Sequence, residues 1–319
     1  SGNHTDDVTD LVHPDTAATA SLAARIVGLD IAGVDLVCED ITQPLDGQRG
    51  AIVEVNAGPG LLMHLKPETG EPRPVGRAIV DQLFPDGDDG RIPVIGVSGS
   101  FGKTTVASLI ARLLTLTGQH TGLACSDGLF LDRRRIGKGD SANWGAANRI
   151  LMNRAVDAAV LENGSDTILS EGLAYDRCLI GVITNVDAAT HFGRFHVETA
   201  EQVFTVLRTQ VDLVLPRGAA VLNAAHPMLV EIAALCDGEV IFFALDPEQP
   251  TLVAHRAQGK RAVFARGGQV ILASGQDEKA IVSLEAIPLT GGGRIDFEVE
   301  NVLAASAAAW ALGIGPEII

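Results

Sequence analysis

The sequence predicts an α/β fold, a doubly wound and mainly parallel sheet carrying a phosphate loop, with a smaller domain before it. Three observations lead there. From residue 92 onward, strand-like apolar runs alternate with helical patterns, as in a parallel sheet covered by helices. A glycine turn, Gly99-Ser100-Phe101-Gly102-Lys103-Thr104-Thr105, stands between the first of those runs and the first of those helices. The stretch Pro85-Asp86-Gly87-Asp88-Asp89-Gly90 is an acidic, glycine-rich linker and marks the domain boundary.

Taken in order, the first part shows a helical pattern over 16–27, an alternating segment over 31–37, a second strand over 51–55 and a helix over 75–83. Beyond the linker, strands are predicted at 92–97, 158–161, 179–184, 219–222 and 240–244. Helices are predicted near 104–117, 144–153, 200–213 and 226–236. The alanine-rich run over 302–315 is too short to span a bilayer and reads as a buried helix.

Composition points to a soluble cytoplasmic enzyme. The 319 residues suggest two or so domains, and 46% hydrophobic against 20% charged residues supports large cores and argues against disorder. Lys and Arg number 24 against 40 acidic residues, a net charge of -16, which excludes a general nucleic-acid or anionic-membrane binder but leaves room for a local basic site. Cys38, Cys125, Cys178 and Cys236 form no C-x-x-C pair and read as reduced thiols, neither a zinc site nor a disulfide frame. The chain starts at Ser1-Gly2-Asn3, without Met, basic region or signal-type apolar segment, as expected of a piece of a longer polypeptide.

The glycine turn carries the chemistry. Strand, glycine turn and helix together cradle a nucleotide triphosphate: Gly99 and Gly102 let backbone N–H groups approach phosphate oxygens, and the helix N-terminus favours negative charge. Lys103 adds a full positive charge, Thr104 would hold magnesium, and Thr105 extends the cradle. The spacing is G-x-x-G-K-T-T and not the generic G-x-x-x-x-G-K-(S/T), because Val97 occupies the position five before Gly102. Further strands end in Glu162, Asn185 and Asn223, and ligands of open α/β sheets bind along that carboxyl edge. For Asn185 and Asn223 a plain solvent-facing strand end explains the residue. Glu162 would face the loop from a neighbouring strand, where a carboxylate can hold magnesium on phosphates. His191 is a candidate second metal ligand or phosphate contact, although a lone loop histidine is more often simply solvated.

The phosphate loop, Thr184-Asn185-Val186 with His191, Ala220-Val221-Leu222-Asn223-Ala224-Ala225 and Val299-Glu300-Asn301-Val302-Leu303-Ala304-Ala305 together resemble the central ATPase domain of Mur-type ligases. Nearly the whole chain resembles the cyanophycin synthetase family. The carrying segments are Asp7-Val8-Thr9-Asp10 with His13-Pro14, Val27-Gly28-Leu29-Asp30-Ile31-Ala32-Gly33-Val34-Asp35, Gly50-Ala51-Ile52-Val53-Glu54-Val55-Asn56-Ala57, Ile241-Phe242-Phe243-Ala244-Leu245-Asp246-Pro247 and Trp310-Ala311-Leu312-Gly313. The resemblance implies that residues 1–90 are the C-terminal part of an ATP-grasp domain and 91–319 a Mur ligase-like central domain, with the small C-terminal Mur domain outside this stretch. It implies ATP and Mg2+ as cofactors, arginine and aspartate as amino-acid substrates, an aspartate–arginine polymer as primer, and a homo-oligomer. The reaction implied is amide-bond formation through an acyl phosphate. It also implies that Asn301 touches the adenine and that Asp35, Glu54 and Asn56 hold magnesium in the ATP-grasp module. Glu54 and Asn56, two apart on a strand, share a face and suit a hard cation, as a polar surface strand would also do.

Several positions depart from the family pattern. Phe101 stands where asparagine is usual, Gly164-Ser165-Asp166-Thr167 replaces a basic site with an acidic one, and Leu207 beside Arg208 replaces a lysine. Thr190 stands for an aspartate, Gly291 for a histidine and His226 for an acidic residue. These changes point to altered substrate choice or lost catalysis at the Mur-like site. A noncatalytic nucleotide-binding paralogue or scaffold is therefore the alternative reading. An unrelated phosphate-loop kinase or nucleotidase is a further one, disfavoured by the long ordered resemblance.

Overall fold

The computed structural model describes residues 4–85, 88–187 and 195–319. The chain divides into two compact units, Ser1–Arg91 and Ile92–Ile319.

In the first unit, α1 (Pro14–Ile26) starts where His13 accepts a hydrogen bond from the Asp15 N–H and Pro14 fills a position needing no donor. Strands β1 (Gly33–Val37) and β2 (Ala51–Asn56) form an antiparallel pair, with Asp35 opposite Glu54 and a bulge at Val53. Helices α2 (Leu62–Leu65) and α3 (Val75–Leu83) follow. Arg73 ties the start of the unit to its later part, its Nε donating to Asp7 at 2.8 Å and its Nη2 to Asp10 at 2.6 Å. That guanidinium, with the Thr9 hydroxyl, holds the Asp7 carboxyl well below the usual carboxylate range. Thr16 and Leu45 are the buried side chains among the described residues of this unit, while Ile26, Val53 and Leu62 are 75%, 66% and 68% exposed. Its apolar faces are largely open.

The second unit is built on one eleven-stranded sheet. In chain order its elements are β3 (Val94–Ser98), α4 (Lys103–Leu116), β4 (Thr121–Cys125), β5 (Gly128–Leu131), β6 (Arg134–Gly137), α5 (Trp144–Leu151), β7 (Ala158–Glu162), α6 (Ser165–Ser170), β8 (Cys178–Ile183) and α7 (Ala200–Asp212). There follow β9 (Val214–Asn223), α8 (Pro227–Ala233), β10 (Glu239–Ala244), α9 (Pro250–Ala257), β11 (Arg261–Arg266), β12 (Gln269–Ser274), β13 (Asp277–Ser283) and α10 (Asp296–Ala311). The strand order is β13-β12-β11-β10-β9-β8-β3-β7-β4-β5-β6. The seven from β11 to β4 are parallel, and an antiparallel hairpin closes each border.

Both faces of the sheet are covered, which is why its central strands read as unbroken apolar runs. Ile95, Val97, Val160, Val182, Val221 and Phe243 face α4 and α10, whereas Leu161, Ile183, Leu222 and Phe242 face the layer of α5, α7, α8 and α9. Helix α10 is buried continuously from Asn301 to Ala309, and its alanines allow close packing on α4 and the strands. The predicted strands and helices all appear, with shifted ends. The hairpins β5–β6 and β12–β13, together with β4 and β11, were not predicted.

One side chain in the middle of β3 is missing, and a polar cluster occupies the space. A Cβ on Gly96 would overlap the Tyr175 hydroxyl and the Gln210 amide. Gln210, wholly buried on α7, accepts at Oε1 from Ser98 Oγ (3.0 Å), Asn163 Nδ2 (2.9 Å) and Tyr175 Oη (3.1 Å), and donates from Nε2 to Cys178 Sγ (3.6 Å). Asn163 Nδ2 also donates to Tyr175 Oη at 2.7 Å. These groups satisfy one another, as buried polar groups must. Burial pushes the Cys178 thiol up to about 12 and the Tyr175 phenol well above its ordinary 10.0.

Two outcomes are expected. Gly96→Ala forces a methyl into the cluster and lowers stability by about 1–3 kcal/mol, read as the urea unfolding midpoint; an unchanged midpoint would contradict the packing. Tyr175 is the sole tyrosine, and its phenol value is higher folded than unfolded. Its stabilising contribution is therefore complete below pH 10.0 and lost as pH rises beyond it. Phenolate absorbance should accordingly appear together with unfolding, and a separate titration at the ordinary value would show that the hydroxyl is not enclosed.

Candidate functional site

The sheet topology sets where a ligand can sit. From β3 the chain runs to β4 and back to β7, then crosses β3 to β8 and continues outward, so β3 lies at the switch point of the strand order. Its carboxyl end leads into the glycine turn. Gly99 has φ +128° and Gly102 φ +77°, a region that side chains strain to adopt. A Cβ on Gly99 would overlap Thr184 Oγ1, and one on Gly102 would overlap the Asn301 amide. Both glycines are therefore required by backbone conformation and by close approach.

Gly102 is the N-cap of the fourteen-residue α4 and supplies no side-chain acceptor. The N–H groups of the first turn, at Lys103, Thr104 and Thr105, have no intrahelical partner by the geometry of any α-helix and point out along its axis. Lys103 is half-buried, and its Nζ donates to the Ser100 carbonyl at 3.2 Å, folded back over the turn. The first turn is thus positive in both backbone and side chain.

The turn is held from β8. Thr184 Oγ1 donates to the Phe101 carbonyl at 2.6 Å; Asn185 Oδ1 accepts from the Phe101 N–H at 2.9 Å and its Nδ2 donates to the Phe101 carbonyl at 3.1 Å. The Ser100 N–H donates to the Asn185 carbonyl at 3.2 Å, and Ser100 Oγ accepts from the Asp187 N–H at 2.9 Å. This corrects the reading of Asn185 as a plain strand end, since its amide grips both backbone groups of one loop residue. Asn223 is likewise more than a solvated end. It is wholly buried, donates to Glu300 on α10 at 3.0 Å and accepts from the Ala225 N–H.

Glu162 ends β7, paired in register with Val97 of β3, and is 4% exposed. Ser126, just after β4, donates to both carboxylate oxygens, from its N–H at 2.8 Å and from its Oγ at 3.0 Å. Sequence reasoning missed Ser126 because the strand that presents it was not predicted. Asn301, 4% exposed on α10, packs against Gly102 and donates to Glu298 at 3.0 Å. The structure thus gathers Gly99, Gly102, Lys103, Thr104, Thr105, Glu162 and Asn301 at one end of the sheet. His191 and Thr190 lie outside the described residues.

In the first unit, Asp35, Glu54 and Asn56 share one face of the β1–β2 pair, and Asn56 Nδ2 donates to Asp35 at 3.2 Å. Among the described residues, no group of three or more His, Cys, Asp or Glu is placed to hold a metal ion, so any cation at either place would draw on hydroxyl or amide oxygens as well. No helix among the described residues is long and apolar enough to cross a membrane.

The departures have structural settings. Phe101 is 63% exposed, leaving its backbone to form the clamp. Leu207 lies within the core between α7 and the sheet, where an apolar side chain packs. Gly291 has φ +59° after a tight turn, a conformation that disfavours a histidine. His226 is the half-buried N-cap residue of α8, and Gly164 that of α6.

Comparison with known proteins agrees with this architecture. The cyanophycin synthetase of Synechocystis sp. is 38% identical over 314 residues, which cover 98% of this chain and 36% of that protein. The cyanophycin synthetase of Geminocystis herdmanii is 38% identical over 313 residues, again 98% of this chain and 36% of the relative. The chain therefore spans about a third of the length of these curated relatives. A solved structure of UDP-N-acetylmuramoyl-L-alanyl-D-glutamate--2,6-diaminopimelate ligase shares the fold with a TM-score of 0.54 at 21% identity, covering 76% of this chain and 47% of that one. The Mur ligase middle domain family matches residues 97–309, a span running from the end of β3 almost to the end of α10. With its phosphate loop at the switch point of a mainly parallel sheet, the chain belongs to the Mur ligase middle-domain family.

Proposed function

We propose that this chain is part of an ATP-dependent carboxylate–amine ligase of the cyanophycin synthetase type, acting on an aspartate–arginine polymer in the cytoplasm as a homo-oligomer. The observation that carries the reading is the meeting of a clamped glycine turn, the open N-terminus of α4 and the Glu162 carboxylate at one sheet edge. The 98% coverage by cyanophycin synthetases supports the substrate class. On this reading residues 1–90 are the C-terminal part of an ATP-grasp domain, whose Asp35, Glu54 and Asn56 present oxygen ligands on one face, and residues 91–319 are the Mur-like domain.

The chemistry at the Mur-like site follows from charge. An oxygen of the substrate carboxylate attacks the terminal phosphorus of ATP and ADP departs; the amine nitrogen then attacks the acyl carbon, inorganic phosphate leaves, and the nitrogen loses a proton. Gly99, Gly102 and the N–H groups of Lys103, Thr104 and Thr105 receive the phosphates, and the Lys103 ammonium stabilises charge on the transferring group. The Thr104 hydroxyl and Glu162 carboxylate are hard oxygen donors that fit Mg2+, which would neutralise phosphate charge there. His191 is proposed as a further contact and Asn301 as the residue bordering the adenine. No residue is needed as a covalent nucleophile.

A second reading, nucleotide binding without turnover, is favoured by one observation: a buried leucine at position 207 stands where the family pattern has a lysine, and it offers no charge or donor to a site. Amine-dependent ADP release separates the two. With Mg-ATP, an aspartate–arginine primer and arginine, aspartate or neither, release should require both primer and one amino acid and should vanish in Lys103→Ala. Tight ATP binding without release would establish the second reading. A further expectation concerns Ser126→Ala, which removes one of two bonds orienting Glu162. The Mg2+ concentration for half-maximal ATP binding should rise about tenfold, measured by calorimetry, and an unchanged value would remove Glu162 from the metal site.

A further inference from the structure

The polar cluster beneath the phosphate loop has an arrangement that packing alone does not require. The space above Gly96 could hold an apolar side chain, as the surroundings of Val94, Ile95 and Val97 on the same strand do, yet it holds the polar ends of Gln210 and Tyr175. A buried polar cluster contributes little net stability compared with apolar packing, but it fixes geometry, because each donor must find its acceptor.

The three donors that converge on Gln210 Oε1 come from three different places: Ser98 at the end of β3, Asn163 just after β7, and Tyr175 before β8. Ser98 is the residue before Gly99, and Asn163 is the residue after Glu162. The Asn163 N–H donates in turn to the Val97 carbonyl at 2.8 Å, and the Ser98 carbonyl accepts from the Thr184 N–H at 3.0 Å. One amide oxygen therefore joins the strand end that starts the phosphate loop to the strand end that presents Glu162. In this arrangement the amide oxygen accepts from all three, and Nε2 is directed to Cys178.

We infer that Gln210 is a positioning residue, setting the distance between the phosphate loop and Glu162 and so the metal dependence of nucleotide binding. It touches neither nucleotide nor metal, and acts through Ser98 and Asn163. The inference rests on the reading of this edge as a Mg-ATP site.

The test measures ATP binding by calorimetry across a series of Mg2+ concentrations, with the thermal midpoint of each protein recorded alongside. Gln210→Met keeps the length of the side chain and removes the acceptor. The Mg2+ concentration for half-maximal binding should rise about tenfold, while binding of ATP in the presence of a chelator stays as in the wild type. Gln210→Glu should return the metal dependence towards the wild type, because a carboxyl group buried there is held neutral and offers a carbonyl acceptor and a hydroxyl donor towards Cys178. Ser98→Ala, which removes a single donor and serves where Gln210→Met does not fold, should shift the metal dependence in the same direction by a smaller factor. Lowered thermal midpoints with the wild-type Mg2+ dependence in these variants would overturn the inference and leave a purely structural role. A wild-type protein with no Mg2+-dependent ATP binding would instead overturn the reading of the site itself, and the inference with it.

Discussion

The Asn185 side chain closes two hydrogen bonds on the backbone of Phe101, and the loop at the end of β3 is held by that grip and the adjoining Thr184 bond. A glycine turn left to itself is free to take many shapes, and ordering it on binding phosphate would cost conformational entropy. Here the neighbouring strand has already met that cost. The clamp works only because β8 lies directly beside β3, which in turn follows from the crossover that carries the chain from β7 over β3. Position 99 accepts no side chain for the same reason, since Thr184 presses on it, and position 102 accepts none because Asn301 of α10 does. Strand order, loop conformation and the identity of Gly99 thus form one constraint.

The central strands were legible because burial on both faces leaves an uninterrupted apolar signature, as in Val94–Ser98 and Ala158–Glu162. The border hairpins were not, because β6 and β13 carry Arg134, Arg135, Asp277, Glu278 and Lys279 at positions that read as loop. The glycine turn and Glu162 could be found from spacing and strand position. Ser126, Gln210 and Tyr175 could not: nothing in a linear pattern shows that a serine after one strand meets a glutamate 36 residues later, or that a glutamine in a helix meets a serine 112 residues earlier. Asn185 was visible as a strand end, but its partner is backbone, which leaves no trace in sequence.

Position 207 shows how a departure from a pattern can be read in physical terms. A lysine on that side of α7 would enter an apolar core bounded by the sheet, and leucine fills the space without an ion to desolvate. Gly291 similarly meets a left-handed backbone that a histidine would strain to adopt. These residues suit the fold as it stands. The first unit contrasts with this economy: little beyond Thr16 and Leu45 is enclosed, and polar links take a larger part, from the long-range Arg73 bonds to Asp7 and Asp10 to the local His13 cap.

The two hairpins that border the large sheet have a consequence for association between chains. An open border strand presents unpaired N–H and C=O groups on which a strand of another molecule can extend the sheet. On β6 the leading residues are Arg134 and Arg135, and on β13 they are Asp277, Glu278 and Lys279, all exposed. A strand pairing there would have to bring these charges and their hydration into the ladder. The charged borders therefore disfavour fibre-like growth of an otherwise very apolar sheet.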